Sequence, residues 1–192
     1  MSSKKVAFAT LSLAALLLAA PAQAAKLGPY FPLPANLSVA GSNTPRDGLL
    51  KLEENWLKNG LDRLEKAKNE TTAALEKAKA DNAKPEQIAE LEAKLKGIES
   101  DIASAKEELE LAQDTGGGFE RQKERKEKLL LNVNQWIREL SRQATQALKA
   151  AILSDGMAQM AAQQEHAMLS DRSDTLERAT HDVSVEQWAL TK

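Results

Sequence analysis

Residues capable of chemistry are sparse in this chain of 192 amino acids. It holds two histidines, His166 and His181, and no cysteine. Without cysteine there is no disulfide framework, no thiolate ligand and no thiol nucleophile. The densest soft-ligand segment is Met157–Met168 (MAQMAAQQEHAM). Thioether and imidazole together suggest a copper-type site. On a helix turning about 100° per residue, Met157 and Met168 share a face, whereas His166 sits about 180° from Met157. One helix therefore does not present both to a single ion. The reading preferred is that these methionines fill irregular gaps where a helix packs.

Nucleophilic and phosphate-handling patterns fare no better. Ser141 and Ser154 stand in no recognisable motif. Gly116-Gly117-Gly118 is a bare triplet without the lysine and hydroxyl residue that complete a phosphate loop. The many Asp and Glu residues fall on polar helix faces, and acid–base work by carboxylates needs a cleft that raises one of their pKa values. The sequence thus supplies no catalytic residues, no metal ligands and no cofactor site, and a non-enzyme is expected.

The charged run Glu120–Lys128 (ERQKERKEK) carries five basic and three acidic residues. It follows Glu107, Glu108, Glu110 and Asp114 across the glycine turn, so intramolecular pairing is expected ahead of a basic patch. A net charge of −2 gives no reason to expect nucleic-acid binding.

Two other features point to partners. Tyr30-Phe31 are adjacent aromatics in a chain with 4% aromatics, set among Pro29, Pro32 and Pro34. An extended proline-rich arm loses little entropy on docking; the alternative is that it lies along its own bundle and covers exposed leucines. Tyr30, Phe31 and Trp188 near the C-terminus are the candidate partner-binding residues.

The elements that position these groups are helices. Few aromatics with abundant Ala, Leu, Glu and Lys favour long helices over sheets. Residues 1–24 read as a cleaved signal peptide: Lys4 and Lys5, the uncharged apolar Val6–Ala20, then Ala22-Gln23-Ala24. The apolar run is short for a membrane span of about 20 residues, and no later segment is apolar enough to cross a bilayer. Without Lys4 and Lys5 the remainder carries a net charge of −4. Absence of cysteine also excludes a lipidated bacterial lipoprotein. The expected location is exported: periplasmic in a Gram-negative cell, otherwise secreted.

Residues 25–43 form the extended arm, and residues 44–192 the helical bundle. Thr44-Pro45-Arg46-Asp47 offers an N-cap, a proline at the first helical position and an acidic first turn. Leu50, Leu57, Leu64, Thr71 and Ala78 then recur every seven residues, joined by Leu61 and Leu75. Gly60 weakens that helix. After a break before Pro85, Ile88, Leu91, Leu95, Ile98, Ile102, Ala105, Leu109 and Ala112 keep 3–4 spacing through four heptads, a candidate coiled-coil seam. Leu130, Val133, Ile137, Leu140, Ala144, Ala147 and Ala151 form a third stripe, broadened by Trp136 and Leu148. Ser154 or Asp155 is placed to cap a fourth helix through Met157, Met160, Ala161, Met168 and Leu176.

The expected fold is all-α: an elongated antiparallel hairpin or three-helix coiled-coil-like bundle with a short C-terminal helix. Its helices run roughly over 45–81, 85–114, 119–154 and 156–180. The expected role is an exported interaction protein, a scaffold, adaptor or assembly factor of an envelope or secreted complex. Its partners are proteins, a second copy of itself among them. The alternatives are a periplasmic chaperone for unfolded clients and a helical subunit of a secretion or conjugation apparatus.

Overall fold

A computed structural model describes residues 28–35, 37, 44–114 and 116–185. The signal-peptide reading of 1–24, much of the proline-rich arm and Trp188 lie outside the described residues. Among the described residues the chain is all-helical, with α1 (Pro45–Ala80), α2 (Pro85–Gln113), α3 (Phe119–Leu153) and α4 (Gly156–Val185), and no strand. None of these helices is long and apolar enough to cross a membrane.

Local chemistry sets the starts. Thr44 is extended and its side chain accepts a hydrogen bond from the Asp47 amide at 3.1 Å, with Pro45 at the first helical position. This satisfies one otherwise orphaned N–H and adds an acidic group near the positive helix end. Pro85 opens α2 in the same position, where its missing N–H costs nothing. Between α3 and α4 the Ser154 hydroxyl donates back to the Ala150 carbonyl and so closes α3. Gly156 begins α4 at φ +60, a left-handed conformation open to glycine.

The helices pair as two antiparallel hairpins, α1 with α2 and α3 with α4. Ion pairs fix the register of the first: Lys79–Glu92 at 2.8 Å, Lys68–Glu99 at 3.0 Å and Lys106–Glu65 at 3.1 Å. These exposed pairs are each worth about 1 kcal/mol or less; burial of Leu57, Leu61, Leu64 and Leu75 with Ile98, Ile102 and Ala105 supplies the stability. At the free end the seam is thinner, and Ile88, Leu91 and Leu95 stay half-buried because only one helix covers them.

The second hairpin departs from expectation. The fourth helix is not short: α4 has 30 residues and lies along α3. It packs through Ala162, Leu169, Leu176 and Val183, spaced by sevens and all buried. Between them His166 and Thr180 are half-buried and Ser173 is buried. Those polar residues interrupt the apolar pattern, so the heptad is hidden in the sequence. Met157, Met160 and Met168 do not fill gaps in the packing. They lie outside this seam and are exposed.

The hairpins meet where α1 and α3 begin and α2 and α4 end. Leu49, Trp56, Leu129, Val133, Trp136 and Leu140 are buried there. On α3 the buried stripe runs through Leu129 and Trp136, while Leu130 and Ile137 are half-buried. A helix that must face three neighbours buries a second stripe beside its first.

Candidate functional site

Polar groups gather at this junction. Glu53 of α1 is 2% exposed and accepts a hydrogen bond from Asn132 Nδ2 of α3 at 2.6 Å. Asn132 is fully buried, and its Oδ1 has no hydrogen-bond partner. Beside them Lys128 of α3 pairs with Glu108 of α2 at 2.9 Å, both nearly buried. Arg125 of α3 donates to the Ala112 carbonyl at 2.6 Å and to the Asp114 carbonyl at 2.7 Å. It thereby satisfies carbonyls at the end of α2 that have no intrahelical donor.

Burial pushes the Glu53 carboxyl up from 4.5 to about 7. Loss of hydration dominates, the Asn132 hydrogen bond opposes it, Glu108 adds to the rise, and Arg125 and Lys128 draw it down. The neighbouring Glu54, which receives Lys58 and Gln113, is held below the usual carboxylate range. Two carboxyls one residue apart are thus driven in opposite directions by their surroundings. A perturbed carboxyl alone does not make a catalytic centre, which requires a cleft that brings substrate to it. Glu53 is enclosed by helices, whereas the nearby grooves of ≈ 240 Å³ (Ser104, Glu107, Glu108, Arg121) and ≈ 470 Å³ (Asp47, Lys51, Glu54, Arg125) are lined by other side chains.

The proline-rich segment closes the junction from one side. Phe31 is 7% exposed and meets Trp56 edge-to-face, ring centroids 5.2 Å apart; Trp56 meets Trp136 in the same manner at 5.2 Å. Trp56 Nε1 donates to the Pro32 carbonyl at 2.8 Å, and Arg63 donates to the Tyr30 carbonyl at 3.3 Å. Tyr30 packs against the same core, half-buried. The described part of the arm therefore lies along its own helices, and a partner reaching Phe31 would first have to lift it away. Gly60 is the seat of the Phe31 ring: a Cβ there would stand 1.9 Å from Phe31 Cε1. The glycine that looks like a weak point in α1 is the gap into which the arm inserts.

Gly60→Ala tests this. Alanine raises helix propensity by about 1 kcal/mol, yet it must expel the ring, and overpacking of this kind costs about 1–3 kcal/mol. The expected outcome is a net loss of stability together with faster proteolysis within residues 28–35. Stabilisation with an unchanged cleavage rate would contradict the seating.

The candidate seam residues separate by position. Ile98 and Ile102 are buried, while Ile88, Leu91, Leu95 and Leu109 are half-buried. The charged run behaves as an internal partner to the end of α2: Arg121 pairs with Asp114 at 3.2 Å and Lys128 with Glu108. Lys126 instead donates to the Ser184 carbonyl of α4 at 2.9 Å. His166 bonds the Ala144 carbonyl at 3.0 Å and His181 is exposed. Among the described residues no group of three or more His, Asp or Glu could hold a metal ion.

What sequence reasoning missed is the buried polar set Glu53, Asn132, Arg125 and Lys128. A second omission is an apolar end to the second hairpin. Ile152, Leu153, Met157 and Met160 surround the α3–α4 turn and are more than half exposed, with Leu153 at 87% and Met157 at 78%. From Ala144 to Gln164 only Lys149 and Asp155 are charged.

No family model, no curated protein and no solved structure matches this chain.

Proposed function

We propose that this is an exported, non-enzymatic helical interaction protein, a scaffold, adaptor or assembly factor of an envelope or secreted complex, periplasmic in a Gram-negative cell. The observation that carries this reading is the exposed apolar end of the α3–α4 hairpin. Exposed apolar patches of this kind mark interaction surfaces. The stretch is nearly uncharged, which suits an apolar protein surface and offers nothing to phosphates of a nucleic acid or an anionic membrane. The export signal read at residues 1–24 supplies the compartment, and the absence of a recognisable catalytic set supports a binding role.

A photo-crosslinker at Leu153, compared with one at exposed Lys94 of α2, tests the reading in native envelope material. The expected result is one discrete protein adduct at Leu153 and none at Lys94. The double variant Leu153→Gln, Met157→Gln is expected to fold normally, judged by an unchanged urea midpoint, and to lose that adduct at least tenfold. Equal labelling at both positions, or an adduct indifferent to the double variant, would overturn the assignment.

A chaperone for unfolded clients is the second reading. Methionine side chains are flexible and polarizable and adapt to varied apolar surfaces, and three of the four methionines stand exposed on α4. Suppression of aggregation of an unfolded outer-membrane protein discriminates: a chaperone suppresses it at equimolar ratio, whereas an adaptor has no effect at excess.

A further inference from the structure

The two hairpins are joined by a contact between two buried polar side chains. Glu53 comes from the first hairpin and Asn132 from the second, and each is buried at a position where an ordinary design would place an apolar residue. Asn132 Nδ2 donates to one Glu53 oxygen at 2.6 Å. Its carbonyl Oδ1 is buried with no donor, so it has lost its hydration with no hydrogen bond in return. A carboxylate has no hydrogen to give; a carboxylic acid has one. The amide and the acid are complementary when the carboxyl is protonated: N–H to carboxyl oxygen in one direction, O–H to amide oxygen in the other.

We propose that Glu53 and Asn132 form a proton-operated latch between the hairpins, closed as an acid–amide pair and loosened when Glu53 ionises. On ionisation the O–H bond breaks, the proton leaves to solvent, the hydrogen bond to Asn132 Oδ1 is lost, and a negative charge remains in a site enclosed by helices. The surroundings agree with this balance. The charged groups acting on Glu53 are Glu108 of α2, which opposes ionisation, and Arg125 and Lys128 of α3, which favour it. Lys128 is engaged by Glu108 and Arg125 by two backbone carbonyls, so both cations also serve other partners. The residues α4 buries in the shared core, Leu169, Leu176, Ala179 and Val183, are apolar and give an anion no hydration. Burial accordingly holds the carboxyl far above its usual range, near neutrality. The latch concerns the relation of the hairpins and stands independently of what partner the protein binds.

The chain contains no cysteine, so two introduced labels are unique. Spin labels at Lys66→Cys on α1 and Arg138→Cys on α3, both exposed in the structure, report the separation of the hairpins. The expected result is a narrow distance distribution below neutrality that broadens or lengthens as pH rises, with a midpoint near 7. Glu53→Gln supplies a neutral amide of the same shape that donates to Asn132 Oδ1; its distribution is expected to stay narrow at every pH. A wild-type distribution unchanged from pH 5.5 to 8.5 overturns the proposal. So does a transition that persists in Glu53→Gln. Should Glu53→Gln fail to fold, the carboxyl ¹³C resonances of the unmodified protein decide: one glutamate titrating near neutrality supports the latch, and all glutamates titrating in the ordinary range refute it.

Discussion

Trp136→Ala is expected to remove about 3–5 kcal/mol of unfolding free energy, the largest effect of any single truncation in this protein. Trp136 is fully buried on α3 and is the bulkiest of the wholly enclosed side chains. It stacks edge-to-face on Trp56 of α1, which in turn meets Phe31 of the arm. Three segments far apart in the chain thus meet on one indole pair, and edge-to-face contacts add about 0.5–1.5 kcal/mol each beyond the area they bury. The Trp136 Nε1 is buried without a partner, so a small part of the loss is returned when that orphaned donor disappears. Domains of ordinary size have about 5–15 kcal/mol in total, so the variant is expected to lie near its unfolding threshold at 37 °C. Urea unfolding followed by circular dichroism measures the effect. Each hairpin retains its own seam, so helix content at low denaturant is expected to persist while the junction opens. A loss below 1 kcal/mol would show that the hairpins are not joined through these rings.

The residues that make this junction show how far the sequence could be read. The all-helical character was legible in repeated 3–4 spacing, and Thr44-Pro45 gave the start of α1 because capping is local chemistry carried by adjacent residues. The buried part of the α2 seam, Ile98, Ile102 and Ala105, was legible for the same reason. The α4 seam was not. His166, Ser173 and Thr180 occupy alternate seam positions, and a hydropathy pattern counts them as surface. The methionines then drew attention to the wrong face of that helix. Glu53 falls among the carboxylates expected on polar helix faces, because charge ordinarily means exposure; its burial together with Asn132, Arg125 and Lys128 follows from a second hairpin settling on the first, a long-range event with no local signal. Gly60 carried an ambiguous sign of the same kind, since a glycine within a helix marks either weakness or a close approach, and only the position of Phe31 distinguishes them.

Glu53 gives the second large effect, and its sign is opposite to that of most carboxylates. A salt-bridged carboxyl, such as Glu139 with Arg142 or Glu54 with Lys58, has a lowered pKa and stabilises the fold above its unfolded value; that contribution is lost as pH falls. Glu53 is raised, from 4.5 to about 7. Between those values the folded chain retains a proton that the unfolded chain has given up. Folding stability attributable to this group is therefore fully present below about pH 4.5 and declines as pH rises, until it is lost above about pH 7. Each unit of the interval is worth about 1.4 kcal/mol, so the decline amounts to about 3 kcal/mol. Glu53→Gln cannot ionise and lacks this decline, while every other carboxyl titrates alike in both chains. The difference in urea unfolding free energy, variant minus wild type, is expected to grow by about 3 kcal/mol between pH 4.5 and 7.5 and then to level. A difference that is constant with pH would place the proton elsewhere, and one that shrinks as pH rises would mean that Arg125 and Lys128 overcome burial and hold Glu53 as an anion.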